Sequence, residues 1–161
     1  MILRNQVEWA LHCCSVLASV PEGGTLATKD LAEFHGVPKE YLSKALQALS
    51  QAGIIVGTLG PTGGYRLARA PKDITFLDVV EAIEGPRSTF ECTEIRKNNP
   101  CRPPRSAFAK PCQVARVMYA ADQAWRETLR KTTFADLGAA LAREVPAEIV
   151  ARNAEWIAER A

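Results

Sequence analysis

The sequence predicts a mostly helical chain with one small β-hairpin, and three observations carry that prediction. Apolar residues recur at spacings of three and four in several separate stretches, which is the helical period. Only Ile54-Ile55-Val56 and Tyr65-Arg66-Leu67, separated by a glycine-rich turn, have strand composition. Five prolines crowd between residues 86 and 111, so a long irregular loop is expected there.

The elements follow in order. Leu3, Val7, Leu11, Cys14, Leu17 and Ala18 mark an amphipathic helix over about residues 3–20, ended by Pro21-Glu22-Gly23-Gly24. Thr28 suits an N-cap for a short second helix whose apolar face is Leu31 and Phe34, and His35-Gly36-Val37 reads as a turn. Pro38 suits a first helical position, and Tyr41, Leu42, Ala45, Leu46, Ala48 and Leu49 run on to Gly53 at a C-terminal cap. The hairpin comes next. Thr75-Phe76-Leu77-Asp78 then resembles a capping box with Asp in place of Glu, Val79, Val80 and Ile83 form a stripe, and Gly85 closes it. After the proline-rich loop, Val114, Val117, Met118, Ala121, Trp125 and Leu129 predict a long helix over 113–130. Two shorter helices are expected at about 133–143 and 146–160.

Two helices joined by a tight glycine-containing turn are a helix-turn-helix signature, and the hairpin behind them makes it a winged helix-turn-helix. The chain therefore divides into a winged helix-turn-helix over 1–85, a cysteine loop over 86–112, and a dimerisation helix with C-terminal helices over 113–161. In such a scaffold the second helix enters the major groove of DNA. Its forward residues here are Lys39, Glu40, Tyr41, Ser43, Lys44 and Gln47, of which the lysines can contact phosphate or guanine, and Tyr41, Ser43 and Gln47 can donate to phosphates or bases. The wing adds Arg66 and Arg69. The helix is barely basic, so a monomer would bind DNA poorly, and a dimer built on the long apolar helix doubles the contacts. A winged helix used for protein contacts is the alternative reading of the same residues.

At 161 residues the chain is long enough for one domain with its own core, and 47% hydrophobic with 24% charged residues excludes wholesale disorder. The net charge of +2 says little, but residues 87–131 carry ten Arg and Lys against four Asp and Glu. No apolar run reaches the ~18 residues of a membrane span. Glu8 and His12 interrupt the N-terminal apolar stretch, so no secretory leader is expected and the cytoplasm is the expected compartment. There, five cysteines read as metal ligands or redox thiols rather than as a disulfide framework. No nucleophile–base set and no phosphate loop is evident, which disfavours an enzyme.

Cys14 falls on the core stripe of the first helix and reads as a small hydrophobe. Cys92, Cys101 and Cys112 lie in the loop among Arg96, Lys97, Arg102, Arg105 and Lys110, and basic surroundings favour the thiolate that ligates metal. Their separations, eight residues and then ten, match no zinc knuckle and no standard ferredoxin pattern. Glu8 and His12 stand one helical turn apart on one face. From the residues alone they form either a local ion pair on a solvated face or a metal-chelating pair. Trp9 lies about 100° around the helix from Glu8, as a core or interface tryptophan or as a flank to whatever the pair holds.

The N-terminal helix, the helix-turn-helix, the GPTGGY wing, the DITFLDVVEAIEG helix and the cysteine loop together resemble the bacterial IscR/NsrR family of winged-helix regulators, over roughly residues 1–135. The resemblance implies a homodimer on pseudo-palindromic promoter DNA and, in many members, an iron–sulfur cluster on loop cysteines. The loop departs from the usual one, whose three cysteines lie closer together. VEWALHCC, ECTEIR and PCQVAR are instead similar to the RsrR branch, which implies a 2Fe–2S cluster held by Cys92 and Cys112 of one subunit and by Glu8 and His12 of the other. Cys101 has no counterpart there and stands as a possible alternative ligand. The resemblance thus implies a repressor or regulator that senses redox state, with Trp9 as a redox-coupling candidate. The competing expectation is a cluster-free regulator that senses oxidants by thiol–disulfide chemistry at the loop cysteines.

Overall fold

In a computed structural model, residues 3–60 and 63–161 are described. Pro61 and Thr62, in the expected wing turn, lie outside them. The elements are α1 Asn5–Leu17, α2 Thr28–His35, α3 Lys39–Gln51, β1 Ile55–Gly57, β2 Tyr65–Leu67, α4 Phe76–Glu84, α5 Gln113–Lys131, α6 Phe134–Glu144 and α7 Ala147–Ala158. Short 3₁₀ turns lie at Pro71–Asp73, Ile95–Asn98 and Arg105–Phe108.

The core is organised around α1. Val7, Ala10, Cys13, Cys14, Val16 and Leu17 are buried, facing Leu42, Leu46 and Leu49 of α3 and Val79, Val80 and Ile83 of α4 in one continuous cluster. Cys13 joins Cys14 in that core, and burial pushes the Cys13 thiol up to about 12, so neither sulfur is a nucleophile. The helix is shorter than the apolar period suggests, because Ala18 caps it and Ser19 and Val20 turn towards Pro21.

Gly36 ends α2 in the left-handed conformation at φ 62°, and the Val37 N–H donates to the Ala32 carbonyl at 3.0 Å, which turns the chain directly into α3. The N-cap of α2 is Ala27 rather than Thr28. Leu26 pairs with Tyr65 through two backbone hydrogen bonds of 2.8 and 3.0 Å, which holds the chain extended up to Ala27. Pro38 likewise sits one place outside α3, as its N-cap. The wing is an antiparallel pair with Ile55 opposite Leu67 and Gly57 opposite Tyr65. Gly64 is required where the wing crosses Leu26, since a Cβ there would lie 2.6 Å from the Leu26 backbone.

The capping box of α4 forms as expected, with the Thr75 hydroxyl accepting from the Asp78 N–H and Asp78 accepting from the Thr75 N–H. A second box, Thr133 with Asp136, starts α6. Phe134 stacks on Phe76 at 5.2 Å, and the backbone pairs Ile74 with Phe134. Phe134 and Ile157 thereby join the same core as α1. On α7, Trp156 meets the edge of Phe34 at 5.0 Å.

One polar anchor ties α5 to the body and to the start of the loop. Asp122 accepts from the Thr89 N–H at 2.9 Å and the Thr89 hydroxyl at 2.7 Å. Arg126 pairs with Asp122 at 3.1 Å, and also binds Glu81 of α4 and the Arg87 carbonyl. The Thr89 bonds first, and Arg126 after them, hold the Asp122 carboxyl down at about 2, below its ordinary 3.8. A folded value below the unfolded one stabilises the fold above about pH 4, and that contribution is lost as the pH falls towards 2. Asp122→Asn should lower the urea-unfolding free energy at pH 7 by roughly 1–3 kcal/mol and flatten the acid limb of the stability profile. An unchanged acid limb would rule out this anchor.

Candidate functional site

The side chains singled out in the sequence on α1 and α3 fall on two surfaces. Leu42, Ala45, Leu46 and Leu49 of α3 are buried, so helical geometry turns Lys39, Tyr41, Ser43, Lys44 and Gln47 to solvent. Tyr41 is 56% exposed, and the Ser43 hydroxyl donates to the Lys39 carbonyl at 2.8 Å, which leaves its lone pairs outward. In the wing, Arg66 is exposed on β2. Arg69 is committed to the body, donating to the Asp73 carbonyl at 2.9 Å and pairing with Asp78 at 3.7 Å.

The second surface begins on the open face of α1. Glu8 and His12 are exposed and line two clefts together. The larger, about 370 Å³, is mostly apolar and adds Leu3, Val7, Leu11, Phe76 and Leu137. The smaller, about 220 Å³, adds Trp9, His35 and Val37, so it runs from the Glu8–His12 pair to the turn of the helix-turn-helix. The sequence presents His35 only as a turn residue, yet its ring centroid lies 5.7 Å from that of His12. Burial, and then the nearby His12, lower its pKa, and its Nε2 is buried with no hydrogen-bond partner among the described residues.

Cys92 and Cys112 share a third cleft, of about 490 Å³, with Phe90, Glu94, Arg96 and Val114. Both cysteines are half-buried. Cys112 is the N-cap of α5, and its sulfur accepts from the Ala115 N–H at 3.4 Å, at the positive end of the helix dipole. Cys101 is exposed and does not line this cleft. Among the described residues, no three His, Cys, Asp or Glu side chains of one chain come together to hold a metal. The thiol pair and the Glu8–His12 pair are therefore separate. Beside the thiol cleft, α5 exposes Val114, Val117 and Met118 at 40–67% as an apolar stripe, and Tyr119 next to them meets the edge of Phe90 at 5.5 Å.

A helix-turn-helix with an exposed polar recognition face, a hairpin wing alongside it and a long helix behind define a winged-helix DNA-binding regulator. The model of the Rrf2 family, described as iron-dependent transcriptional regulators, matches residues 3–140. The chain belongs to that family. It is 38% identical over 112 residues to the protein rrf2 of Nitratidesulfovibrio vulgaris, covering 70% of each chain. Among solved structures it superposes on CymR, the global cysteine regulator of B. subtilis, with a TM-score of 0.69 at 24% identity, covering 86% of this chain and 97% of that one. It superposes on T. potens IscR with a TM-score of 0.67 at 20% identity, covering 93% and 96%. These likenesses confirm the mostly helical winged fold. Regulators of this family bind DNA, typically as dimers, and are not enzymes. No helix among the described residues is long and apolar enough to cross a membrane.

Operator affinity should fall steeply between low and physiological salt, since each phosphate contact releases counterions. Lys44→Ala should weaken operator binding by roughly 1–3 kcal/mol, and Arg66→Ala should reduce the salt slope. Arg69→Ala should leave both nearly unchanged, because its guanidinium is held by Asp73 and Asp78. Fluorescence anisotropy across a salt series checks all three, and a salt slope unaffected by Arg66→Ala would remove the wing from the interface.

Proposed function

We propose that the chain is a redox-responsive regulator, most similar to the RsrR branch, that acts as a homodimeric repressor on promoter DNA in the cytoplasm with a 2Fe–2S cluster at each subunit boundary. One observation carries this reading. Each chain holds two incomplete donor sets, a thiol pair in one cleft and a carboxylate–imidazole pair at another, with apolar surface beside each. Cys92 and Cys112 would hold one iron and Glu8 and His12 of the second subunit the other, and the soft-sulfur and harder N/O donors suit such a cluster. Bound there, a 2Fe–2S cluster supplies one-electron chemistry, at a higher potential than four thiolates would set.

The residues around the pair support a route to DNA. Trp9 is half-buried in the cleft that joins Glu8 and His12 to His35 and Val37. Val37 is in the turn before α3, and α1 packs directly on α3. A change of charge at the ligand pair alters the field on Trp9, whose half-buried ring lines the same cleft. A displaced indole presses on the turn that aims the recognition helix.

The cluster-free alternative uses the same cleft, because Cys92 and Cys112 are both free thiols lining it. Visible absorption with iron and sulfide analysis of anaerobically purified protein separates the two readings, since a dithiol is colourless. Cys92→Ala or Cys112→Ala should abolish cluster retention, whereas Cys101→Ala should keep the colour. Colour lost at Cys101 and kept on substitution of Glu8 and His12 would mean a three-cysteine site instead. Trp9→Ala should keep the cluster and equalise the operator affinities of oxidised and reduced protein, which should differ in the wild type.

A further inference from the structure

Loop 86–112 contributes no residue to the hydrophobic core, yet it brings its first and last cysteines into one cleft. A single side chain spans it. The Arg96 guanidinium grips both oxygens of Glu94, with Nη2 donating to Oε2 at 2.6 Å. It also donates to the Ala107 carbonyl at 3.0 Å and the Lys110 carbonyl at 3.2 Å, and lies 5.3 Å from the centre of the Phe108 ring. Glu94 comes two residues after Cys92, and Lys110 two residues before Cys112. The fork thus ties the chain leaving the first cysteine to the chain entering the second. It also holds Glu94 at φ 53°, a left-handed conformation that a non-glycine residue adopts only when its surroundings compensate. A lysine carries one point charge and no planar fork, so it could not make this set of bonds.

We propose that Arg96 is the positioning residue of the cysteine cleft: it closes the loop so that Cys92 and Cys112 converge, and it sets a fixed positive charge beside the two sulfurs. The guanidinium lines the cleft itself. Because Glu94 balances that charge, losing Arg96 both opens the loop and leaves a bare carboxylate facing the thiols. This inference rests on the reading of the cleft as the cysteine half of a shared cluster site.

The test compares the wild-type dimer with Arg96→Gln and Arg96→Lys, each checked for an unchanged melting temperature. In cluster-free protein, tryptic cleavage after Arg105 should be about tenfold faster in Arg96→Gln, because the bonds closing the loop are gone. In cluster-loaded protein, Arg96→Gln should lose iron to a chelator faster and show a more negative midpoint potential. Arg96→Lys should also lose iron faster but keep a potential close to wild type, which separates the fork from the charge. Unchanged cleavage after Arg105 in Arg96→Gln overturns the proposal, as do unchanged iron loss and potential. Should the wild type take up no cluster, the reading of the site falls, and cleavage after Arg105 still decides whether Arg96 closes the loop.

Discussion

Helix α1 has one face that must be buried and one that stays open, and the rest of the molecule depends on that division. The buried side, from Val7 through Ala10, Cys13 and Cys14 to Leu17, fills the space between α3 and α4 and is joined there by Phe134 and Ile157. A close-packed interior does not deform gradually, so α1 and α3 shift together or not at all. The open side carries Glu8 and His12 on a rigid helix, one turn apart, with Trp9 turned towards the helix-turn-helix. A ligand pair on this helix is thus mechanically adjacent to the DNA-reading helix, without any long route through the fold.

The cysteine loop is built on the opposite principle. It has almost no apolar burial and is held at two points by charged side chains. Asp122 and Arg126 of α5 fix its start at Arg87 and Thr89, and Arg96 closes its middle onto Ala107 and Lys110. Structure held by hydrogen bonds to charges is specific but locally openable. That suits the role proposed for the segment, which is to admit a metal group and yet present its thiols in one arrangement.

The helices were legible because apolar period and capping chemistry are local signals, as the Thr75–Asp78 box shows. The start of α2 was displaced by one residue because Leu26 pairs with Tyr65, a contact between residues distant in sequence. Prolines announced an irregular loop but not its path, so nothing in the residue order placed Arg96 against Lys110. His35 was invisible as a neighbour of His12 for the same reason: their proximity depends on how α2 packs on α1. Arg69 was legible as a wing cation, and only the fold reveals that Asp73 and Asp78 hold it. The candidate donors, and their division between two subunits, were implied by resemblance and by chemistry, and among the described residues the thiol pair and the Glu8–His12 pair form no joint metal-holding group within one chain.

That separation makes the central claim a claim about two chains, and mixed dimers test it most directly. One chain would carry Glu8→Ala and His12→Ala, the other Cys92→Ala and Cys112→Ala, with different affinity tags so that only the mixed dimer is recovered. If the site is shared, one boundary of the mixed dimer keeps all four donors and the other keeps none. The mixed dimer should then hold half the wild-type iron and sulfide with an unaltered visible spectrum, while each doubly substituted homodimer is colourless. A colourless mixed dimer would contradict a site completed by both subunits.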